Sequence, residues 1–404
     1  MTKIRPRLAL IGISGYGRIH LQLARECRDR GEADIVAATV INPAEETENI
    51  AALRADGCTV FSDFREMLRE FRGRIDLCLI PTGIHWHARM TIAALEAGAN
   101  VLVEKPLAAS TAEVVAIRSA EAKSGRFVAV GFQDFYEPGT AWLRSELQRG
   151  AIGTIRSVRF LGLWPRHRAY FTRNDWAGRL QRDGVPVLDS PLNNAFSHFA
   201  MLSLYFAAAP GAPAARATLD GVELFRAHAI DSFDTCVVTA HTADGTRLWF
   251  GASHAGGETI EPEIDIVGTK GTACWRYESE AWWRATDGTS ARQPLLDAPG
   301  ARRAMMEAAL QRLQDRNVPI CTSEMAGSLA ALVESVHHSA PIQSIPVPLV
   351  QWRDLNGLAD AVPEVAGMIE SLRRAFRSEK SLAAEGFPPH PARASAASTP
   401  VSPS

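Results

Sequence analysis

A cluster of glycines near the N-terminus carries the first chemistry that the sequence suggests. The apolar run at residues 7–11 passes through Gly12, Ser14, Gly15 and Gly17 directly into a segment that can be helical. Glycines let the backbone bend sharply and bring its N–H groups close to a pyrophosphate at the positive end of the next helix. Ser14 takes the second position of the dinucleotide fingerprint G-x-G-x-x-G. The pattern predicts a dinucleotide site, and the alternative is a glycine-rich turn without a ligand.

The elements that would position this turn alternate between strand and helix. Apolar runs at 35–41, 59–61, 75–80, 100–103 and 127–132 are separated mostly by segments of helical pattern. Such alternation predicts a doubly wound parallel α/β sheet, which we assign to residues 1–133. Ligands bind beyond the carboxyl ends of the strands in these sheets. The residues expected at that edge are Pro81, Thr82, His85, Glu104, Lys105 and Gln133.

Asn42 ends the second strand, where nucleotide domains commonly have an acid. That acid binds the ribose 2′-hydroxyl and repels a 2′-phosphate. An amide still forms a hydrogen bond with a hydroxyl, but it carries no charge that would reject a phosphate. The sequence therefore leaves the choice between NAD and NADP open.

The pattern changes near Asp134. Strand-like segments now follow one another closely, at 155–163, 220–226, 235–242, 246–253, 263–267, 273–277 and 282–285, before helices return at 301–316 and 324–339. Turn signals at Asp244-Gly245 and at residues 268–271 favour antiparallel neighbours. We expect an α+β domain over 134–382 with a large, mostly antiparallel open sheet. The Ala/Pro/Ser-rich residues 383–404 predict a disordered tail.

A long polar and aromatic segment, residues 164–210, lies between the first two strands of this sheet. Long insertions in a compact domain are more often functional than idle. Its candidate substrate-binding residues are Arg166, Tyr170, Arg173, Trp176 and Asn194. Paired arginines favour a carboxylate, a phosphate or a hydroxyl-rich substrate. The alternatives are that the aromatics belong to the core and the arginines to a solvated surface.

Composition excludes several classes of protein. The 404 residues suggest two or three domains, and the net charge of −2 without a basic run argues against a nucleic-acid surface. No apolar run has the roughly 18 residues of a membrane span, and no signal-peptide cleavage site follows the early basic residues. The six cysteines are scattered without a C-x-x-C pair, so we expect reduced thiols, a cytoplasmic protein and no metal site.

Taken together, these motifs resemble the Gfo/Idh/MocA family, named after glucose-fructose oxidoreductase, inositol dehydrogenase and a rhizopine catabolism protein. The features that carry the resemblance are the glycine turn at 12–20, Ile80-Pro-Thr-Gly-Ile-His85 followed by Ala94-Leu-Glu-Ala-Gly98, Val103-Glu-Lys-Pro106, and His198 on an expected helix. With the elements between them, the resemblance extends from about Arg7 to Arg377. It implies an N-terminal Rossmann domain and a second domain that often forms dimers or tetramers. It also implies NAD(P)-dependent oxidation or reduction of sugars, polyols or related alcohols.

Three positions depart from the family pattern. Ser14 replaces a fingerprint glycine, so its side chain either crowds the pyrophosphate or points away and offers a hydroxyl. Asn42 replaces the ribose-selecting acid. The family often has D-x-G-x-H around its histidine, whereas this chain has Asn194-Ala-Phe-Ser-His198. The third departure removes a carboxylate that could orient the histidine or raise its basicity.

Lys105 and His198 are the expected catalytic residues. A lysine at the ligand edge, held by Pro106, can donate a hydrogen bond to the reacting hydroxyl and stabilise negative charge there. Imidazole titrates near neutral pH and can take the hydroxyl proton as hydride leaves carbon. The alternatives are a solvated lysine and a core histidine. Glu104 either orients Lys105 as an ion pair or is a mere strand-end carboxylate.

The remaining assignments concern the cofactor. The residues expected on the cofactor side are Gly12, Ser14, Gly15, Tyr16, Gly17, Arg18, Asn42, Pro81, Thr82, His85, Glu104 and Gln133.

Three functions are compatible with these residues. The first is an NAD(P)-dependent dehydrogenase or reductase that acts on CH–OH groups of a sugar, cyclitol or polyol, as a homodimer or homotetramer. The second is a glycoside-cleaving or epimerising enzyme that oxidises its sugar transiently with tightly held NAD; it would show no net cofactor turnover. The third is a cofactor-sensing regulator, which would not need both Lys105 and His198.

Overall fold

The computed structural model describes residues 5–355 and 360–388. Its first sheet has six parallel strands in the order β3-β2-β1-β4-β5-β6. They are β1 (Arg7–Ile11), β2 (Asp34–Thr39), β3 (Thr59–Phe61), β4 (Leu77–Ile80), β5 (Asn100–Val103) and β6 (Val128–Val130). This strand order reverses between β1 and β4, which is the point where doubly wound sheets bind nucleotides. The predicted α/β Rossmann architecture is confirmed.

Five helices connect these strands and cover both faces of the sheet. They are α1 (Gly17–Asp29), α2 (Thr47–Ala55), α3 (Phe64–Glu70), α4 (Ile84–Glu96) and α5 (Thr111–Ser124). Every residue of β4, β5 and β6 is buried, because helices pack on both sides of the central strands. Asp63 and Ser110 cap α3 and α5 by accepting hydrogen bonds from first-turn N–H groups. These caps fix where the two helices begin.

The second domain is built on a sheet of nine strands in the order β16-β15-β14-β13-β7-β12-β11-β10-β17. Two neighbouring pairs, β7 with β12 and β10 with β17, are parallel, and the other pairs are antiparallel. The strands are β7 (Ile155–Leu163), β10 (Thr218–Arg226), β11 (Thr235–His241), β12 (Arg247–Ser253), β13 (Ile260–Gly268), β14 (Gly271–Arg276), β15 (Glu280–Ala285), β16 (Ser290–Pro294) and β17 (Ile342–Ser344). The expected large, mostly antiparallel open sheet is confirmed.

Helices and two small hairpins complete this domain. The helices are α6 (Pro138–Gln148), α7 (Arg168–Thr172), α8 (Ser197–Phe206), α9 (Ala298–Arg312), α10 (Ser323–Ser339) and α11 (Met368–Ser378). The hairpins pair β8 (Gln181–Arg182) with β9 (Val185–Pro186), and β18 (Val350–Arg353) with β19 (Val362–Val365). Short 3-10 turns lie at Pro43–Glu45, Gln133–Phe135, Val347–Leu349 and Ala383–Glu385. The turn at Gln133–Phe135 connects β6 to α6, where the chain passes from the first domain to the second.

Helix α9 packs on the first domain although it follows the second sheet in sequence. Its buried residues Met305, Met306 and Ala309 share one apolar cluster with Leu8 and Leu10 of β1. The N-terminal core therefore includes a segment that the division at residue 133 assigned to the second domain. The division at residue 133 stays a proposal about where the chain passes from one domain to the next. In the folded protein, the cores of the two domains are joined.

The C-terminal segment differs from the predicted tail at its start. Residues 383–388 follow α11 in folded conformation, and the buried Phe387 ring packs edge-on against Phe225 with centroids 5.5 Å apart. The rest of the predicted disordered tail, residues 389–404, lies outside the described residues.

Two further expectations concern thiols and membranes. Each of the six cysteines is a buried free thiol. Within the described ranges, no helix combines the length and the apolar character that crossing a bilayer requires.

Replacing the partly buried His337 by leucine is expected to make the free energy of unfolding less sensitive to acid. On α10 the His337 ring packs on Phe233, and burial lowers its pKa to about 4. Because the unfolded pKa is about 6.5, the unfolded chain binds the extra proton between these values. The contribution that neutral His337 makes to the free energy of unfolding is fully present above pH 6.5 and is lost as the pH falls towards 4. Wild type should lose about 2 kcal/mol through this residue between pH 7.5 and pH 5.

Urea unfolding at the two pH values measures this loss. The exposed neighbour His338 provides the matched control, because His338→Leu should keep the wild-type pH dependence. An unchanged difference between pH 7.5 and pH 5 in His337→Leu would contradict the assignment.

Candidate active site

A cavity of about 590 Å³ lies at the carboxyl ends of β1, β2, β4 and β5. It reaches from the glycine turn to the long insertion of the second domain. Its lining residues are Gly12, Ile13, Ser14, Gly15, Tyr16, Ile41, Asn42, Pro81, Thr82, Gly83, Ile84, Trp86, Met90, Glu104, Lys105, Arg173, Asn174, Trp176 and Asn194. Segments far apart in sequence thus meet at one sheet edge, as the strand pattern predicted.

The glycine turn fits a dinucleotide phosphate. Gly12 and Gly15 have φ of +92° and +56°, a region that glycine adopts without strain. A Cβ on Gly17 would lie 2.8 Å from the carbonyl oxygen of Gly12, so the helix can start this close to β1 only without a side chain. A Cβ on Gly15 would meet nothing within 4 Å, which leaves open space at the N-terminus of α1. Backbone N–H groups at the N-terminus of a helix that follows such a turn commonly bind anions.

The Ser14 side chain has a partner within the protein. Its hydroxyl interacts with the Glu46 carboxylate. Burial alone would raise the pKa of Glu46, but hydrogen bonds from Asn49, Arg18 and Ser14 lower it overall. Arg18 Nη2 lies 2.9 Å from Glu46 Oε1. The two alternatives considered for Ser14 both concerned the pyrophosphate, and the pairing of its hydroxyl with Glu46 was not among them.

Lys105 is held by the second domain. Its Nζ donates hydrogen bonds to the carbonyl oxygen of Asn194 at 3.0 Å and to the Asn194 Oδ1 at 3.2 Å. Asn194 Nδ2 donates to Asp189 Oδ1 at 2.8 Å, and Asp189 Oδ2 accepts from the Gly178 N–H at 2.6 Å. An ammonium has three donors, so one remains for a ligand in the cavity.

The charge of Lys105 is tuned by burial and by acids. Burial lowers the pKa of the Lys105 ammonium, while the Glu104 and Asp189 carboxylates act in the opposite direction. Burial likewise raises the pKa of Asp189, against the hydrogen bonds from Gly178 and Asn194. A desolvated ammonium beside acids is suited to holding a substrate oxygen and to proton transfer.

Glu104 holds the backbone of Lys105 rather than its ammonium. Its Oε2 accepts a hydrogen bond from the Lys105 N–H at 3.1 Å, and its Oε1 lies 2.8 Å from Nε2 of the buried His20. Burial raises the pKa of Glu104, but His20, Lys105 and His198 lower it overall. A Cβ on Gly131 would lie 2.8 Å from Glu104 Oε1, so β6 must pass this carboxylate without a side chain. Glu104 thereby ties α1 to β5 beneath the cavity.

His198 lies at the start of α8, one turn after Asn194, and it does not line the cavity. It is close enough to Glu104 to interact electrostatically with that carboxylate, as Lys105 also does. Its Nδ1 is 2.9 Å from Oδ2 of Asp134, a close contact in which the carboxylate lies off the line of a hydrogen bond. Its ring packs edge-on against Phe132, with centroids 5.7 Å apart. Asp134 thus supplies a carboxylate beside the histidine, although Asn194 replaces the acid of the D-x-G-x-H pattern.

The insertion folds back onto the first domain. The Trp176 Nε1 would lie 3.2 Å from a Cβ on Gly83, so the indole rests on the loop after β4. The guanidinium of Arg173 lies over the Tyr170 ring, 3.6 Å from its centroid. Arg166 lies over the same ring at 4.7 Å. Arg173 and Trp176 line the cavity, whereas Tyr170 and Arg166 form the layer that supports Arg173.

Some of the residues predicted to bind the cofactor line the cavity, and others do not. Gly12, Ser14, Gly15, Tyr16, Asn42, Pro81, Thr82 and Glu104 line the cavity. Gly17, Arg18, His85 and Gln133 do not line it. Arg18 is paired with Glu46, and Gln133 Oε1 accepts from Arg302 Nε at 3.2 Å. Burial lowers the pKa of His85, whose ring lies beside Gly83.

Several residues at the site were not singled out from the sequence. They are His20, Ile41, Glu46, Trp86, Met90, Asp134, Asp189 and Arg302. His20 and Ile41 lie within motifs already noted. Their positions shortly after β1 and β2 were a signal in the sequence that they could lie near the site. Asp189 stands in the same polar segment as Asn194. Nothing in the sequence pairs Asp134 with His198, because their contact depends on how the two domains pack.

Comparison with known proteins agrees with the first domain. Residues 7–132 match the family model GFO_IDH_MocA, which describes an oxidoreductase family with an NAD-binding Rossmann fold. An inositol 2-dehydrogenase/D-chiro-inositol 3-dehydrogenase of Shouchella clausii is 31% identical over 154 residues, or 38% of this chain and 43% of the relative. An inositol 2-dehydrogenase of Acidothermus cellulolyticus is 32% identical over 149 residues, or 36% and 42%. The chain thus spans less than half the length of these relatives.

Solved structures extend the likeness of fold to the second domain. The WlbA dehydrogenase of Bordetella pertussis, in complex with NADH and UDP-GlcNAcA, superposes with a TM-score of 0.67 at 20% identity over 83% of this chain and 97% of that chain. The 3-ketoreductase KijD10 of Actinomadura kijaniata, in complex with NADP and TDP-benzene, gives 0.66 at 17% identity over 85% and 100%. Through the match over residues 7–132, the glycine turn and the strand order, the N-terminal domain of this chain belongs to the Gfo/Idh/MocA oxidoreductase family with its NAD-binding Rossmann fold.

Proposed function

We propose that the protein is an NAD(P)-dependent oxidoreductase that transfers hydride between nicotinamide and a carbinol carbon of a sugar, cyclitol or related polyol. The observation that carries this proposal is the single cavity in which the glycine turn meets Lys105 and Asn194. A dinucleotide site alone would suit a sensor. A partly buried ammonium at the far end of the same cavity supplies what alcohol oxidation requires, a donor at the reacting oxygen.

The residues that would hold the cofactor are those of the glycine turn and the loops after β2 and β4. Gly12, Gly15 and the N-terminus of α1 would bind the pyrophosphate, and Asn42 would bind a ribose hydroxyl. The chemistry that a bound nicotinamide supplies is the acceptance or donation of a hydride. Neither Ile41 nor Asn42, which line the cavity after β2, carries a carboxylate that would repel a 2′-phosphate. The proposal therefore covers both NAD and NADP.

Lys105 and His198 would act on the substrate hydroxyl. In oxidation, the Lys105 ammonium donates a hydrogen bond to the oxygen and stabilises the negative charge that develops there. The His198 imidazole accepts the hydroxyl proton, directly or through the hydrogen-bonded lysine. In reduction, the Lys105 ammonium again stabilises the negative charge on oxygen, and the protonated His198 gives the one proton that the oxygen takes up, directly or through Lys105. Asn194 holds the lysine in place and contributes a polar group for a neighbouring hydroxyl.

The substrate side favours a hydroxyl-rich molecule that carries negative charge. Arg173 offers a guanidinium at the cavity wall, and Trp176 offers a flat apolar face for a sugar ring. The relatives include inositol dehydrogenases, and one structural neighbour was solved with UDP-GlcNAcA. We extend the proposal to a cytoplasmic enzyme that forms a homodimer or homotetramer, with six free thiols in support of the location.

Gly17→Ala is expected to abolish cofactor binding without unfolding the protein. Its new Cβ would lie 2.8 Å from the Gly12 carbonyl oxygen, so the turn must shift. In wild type, NAD(H) or NADP(H) at about 100 times its dissociation constant should add about 2.7 kcal/mol of stability. Differential scanning fluorimetry with each of the four forms measures this gain. Gly245→Ala, in a hairpin turn of the second domain, is the control for replacing a glycine.

A gain in wild type and in Gly245→Ala, but not in Gly17→Ala, would support the site and select the cofactor for a screen of cyclitols, sugars and uronic acids. Net cofactor turnover in that screen would support the dehydrogenase. A protein that releases NAD(H) on denaturation and shows no net turnover would favour transient oxidation. The absence of both a gain and bound cofactor would overturn the proposal.

A further inference from the structure

The histidine at the start of α8 faces a carboxylate that comes from a different part of the chain. Asp134 lies in the 3-10 turn that joins β6 to α6, where the chain passes from one domain to the other. Its Oδ2 lies 2.9 Å from His198 Nδ1. The two side chains are only 6% and 12% exposed, so little water screens their interaction.

The turn that carries Asp134 is held on three sides. Gln133 Oε1 accepts a hydrogen bond from Arg302 of α9, and Tyr136 Oη donates to the Val130 carbonyl oxygen at 3.0 Å. The Phe135 ring packs against Tyr205 of α8 with centroids 5.0 Å apart. The carboxylate is therefore fixed relative to the helix that carries His198. A rigid support of this kind is what an orienting group requires.

The contact selects between the two ring nitrogens of the imidazole. A carboxylate close to Nδ1 favours the tautomer that carries the proton there, which leaves Nε2 as the nitrogen that can accept a proton. The two atoms lie within hydrogen-bonding distance at 2.9 Å, although the carboxylate is off the line of the ring N–H. The other titratable groups that interact electrostatically with Asp134 are Tyr16, Lys105, Glu137 and Tyr277.

We propose that Asp134 is a positioning residue that holds His198 in the Nδ1-protonated tautomer and orients Nε2 towards the substrate. The proposal rests on the function proposed above. It assigns to Asp134 the orienting role that the acid of the D-x-G-x-H pattern could have had, where this chain has Asn194 instead. Asn194 is not available for it, because its side chain is engaged between Lys105 and Asp189. The linker between the domains thus takes part in the site.

Asp134→Asn tests the proposal through turnover. The amide keeps the shape of the side chain but cannot stabilise a protonated ring, so kcat should fall between about 10-fold and 100-fold with KM little changed. Removing a negative charge also disfavours the protonated imidazole, so the acid limb of the pH profile should move to lower pH. Asp134→Glu should recover part of the activity.

A double variant separates positioning from mere structure. If Asp134 acts through His198, then Asp134→Asn should cost no further activity in a His198→Gln background. Asp220→Asn is the matched control, because Asp220 also contacts a histidine, His241, at 2.7 Å but lies on the exposed surface of the second sheet. Equal additive losses in both backgrounds would overturn the proposal.

A spectroscopic measurement is independent of turnover. Ring ¹⁵N chemical shifts of His198, recorded on the full chain labelled at histidine and assigned with His198→Gln, report which nitrogen carries the proton. We expect the Nδ1–H form in wild type and a mixture in Asp134→Asn. An Nε2–H form in wild type would overturn the proposal even if the enzyme turns over. Absence of turnover with the expected tautomer would count against the proposed function alone.

Discussion

Lys105→Met is expected to abolish turnover while the protein stays folded. Methionine keeps much of the length and the apolar stem of the lysine but provides no donor. The Lys105 ammonium is a partly buried cation at the substrate end of the cavity, and burial lowers its pKa. Loss of a donor that stabilises developing charge costs about 10²- to 10³-fold in kcat, and loss of proton transfer adds to this. We therefore expect at least about a 10³-fold decrease in kcat/KM.

The measurement is steady-state turnover with the cofactor and substrate found in the screen, together with a thermal melt. The melt matters because Lys105 Nζ donates to both oxygens of Asn194, which lose a partner in the variant. Cofactor-induced stabilisation should remain, since the glycine turn is untouched. Lys123→Met, on the exposed end of α5, is the matched control and should leave turnover unchanged.

Turnover of Lys105→Met within about threefold of wild type, at saturating cofactor, would refute the catalytic role. A folded variant that has lost both turnover and cofactor stabilisation would point instead to a role in holding the cofactor. The two results are distinguishable because binding and turnover are measured separately.

The elements of the sheets were largely predictable because their patterns are local. The strand Ile155–Leu163 was predicted with its observed bounds, since the apolar residues that mark it all lie within the segment. Helix α10 was predicted to within one residue, because the capping Thr322 and its apolar spacing are visible in sequence. The edge of the parallel sheet follows from a topological rule, so the positions of Pro81 and Lys105 could also be expected.

The elements that were missed depend on tertiary context. Strand β16 is exposed along its whole length, so no apolar pattern marks it, and pairing with β15 defines it. Helix α6 begins at Pro138, and its sequence was not distinguished from the linker before it. Helix α9 was predicted as a helix, but its apolar face packs across the domain boundary, which the linear division at residue 133 could not represent.

The site shows the same division between local and tertiary information. The glycine turn and the Glu104-Lys105 pair stand directly after strands, where a local rule places them. The partners of these residues come from elsewhere: His20 for Glu104, Asn194 for Lys105 and Asp134 for His198. A sequence names the groups that can do chemistry, but the packing of the two domains decides which of them are paired.

The second variant with a large expected effect removes the group that takes the hydroxyl proton of the substrate, whereas Lys105→Met removes the group that stabilises charge on the oxygen. His198→Gln is expected to lower kcat/KM by about 10²- to 10⁴-fold, the usual contribution of general acid–base catalysis. Glutamine keeps a polar side chain beside Asp134 and Phe132 but cannot exchange a proton near neutral pH. The acid limb of the pH profile should disappear with the imidazole, whereas cofactor-induced stabilisation should match that of wild type.

The exposed His241 gives the matched control, because it also contacts an aspartate but lies on the surface of the second sheet, far along the chain from Asn194 and Lys105. His241→Gln should retain wild-type turnover and the wild-type pH profile. If His198→Gln also retains both, a core histidine is the correct interpretation and the proton must go to Lys105 alone. If only the acid limb is lost while the maximal rate falls less than about tenfold, His198 acts by tuning Lys105, and the lysine is then the group that exchanges the proton with the substrate.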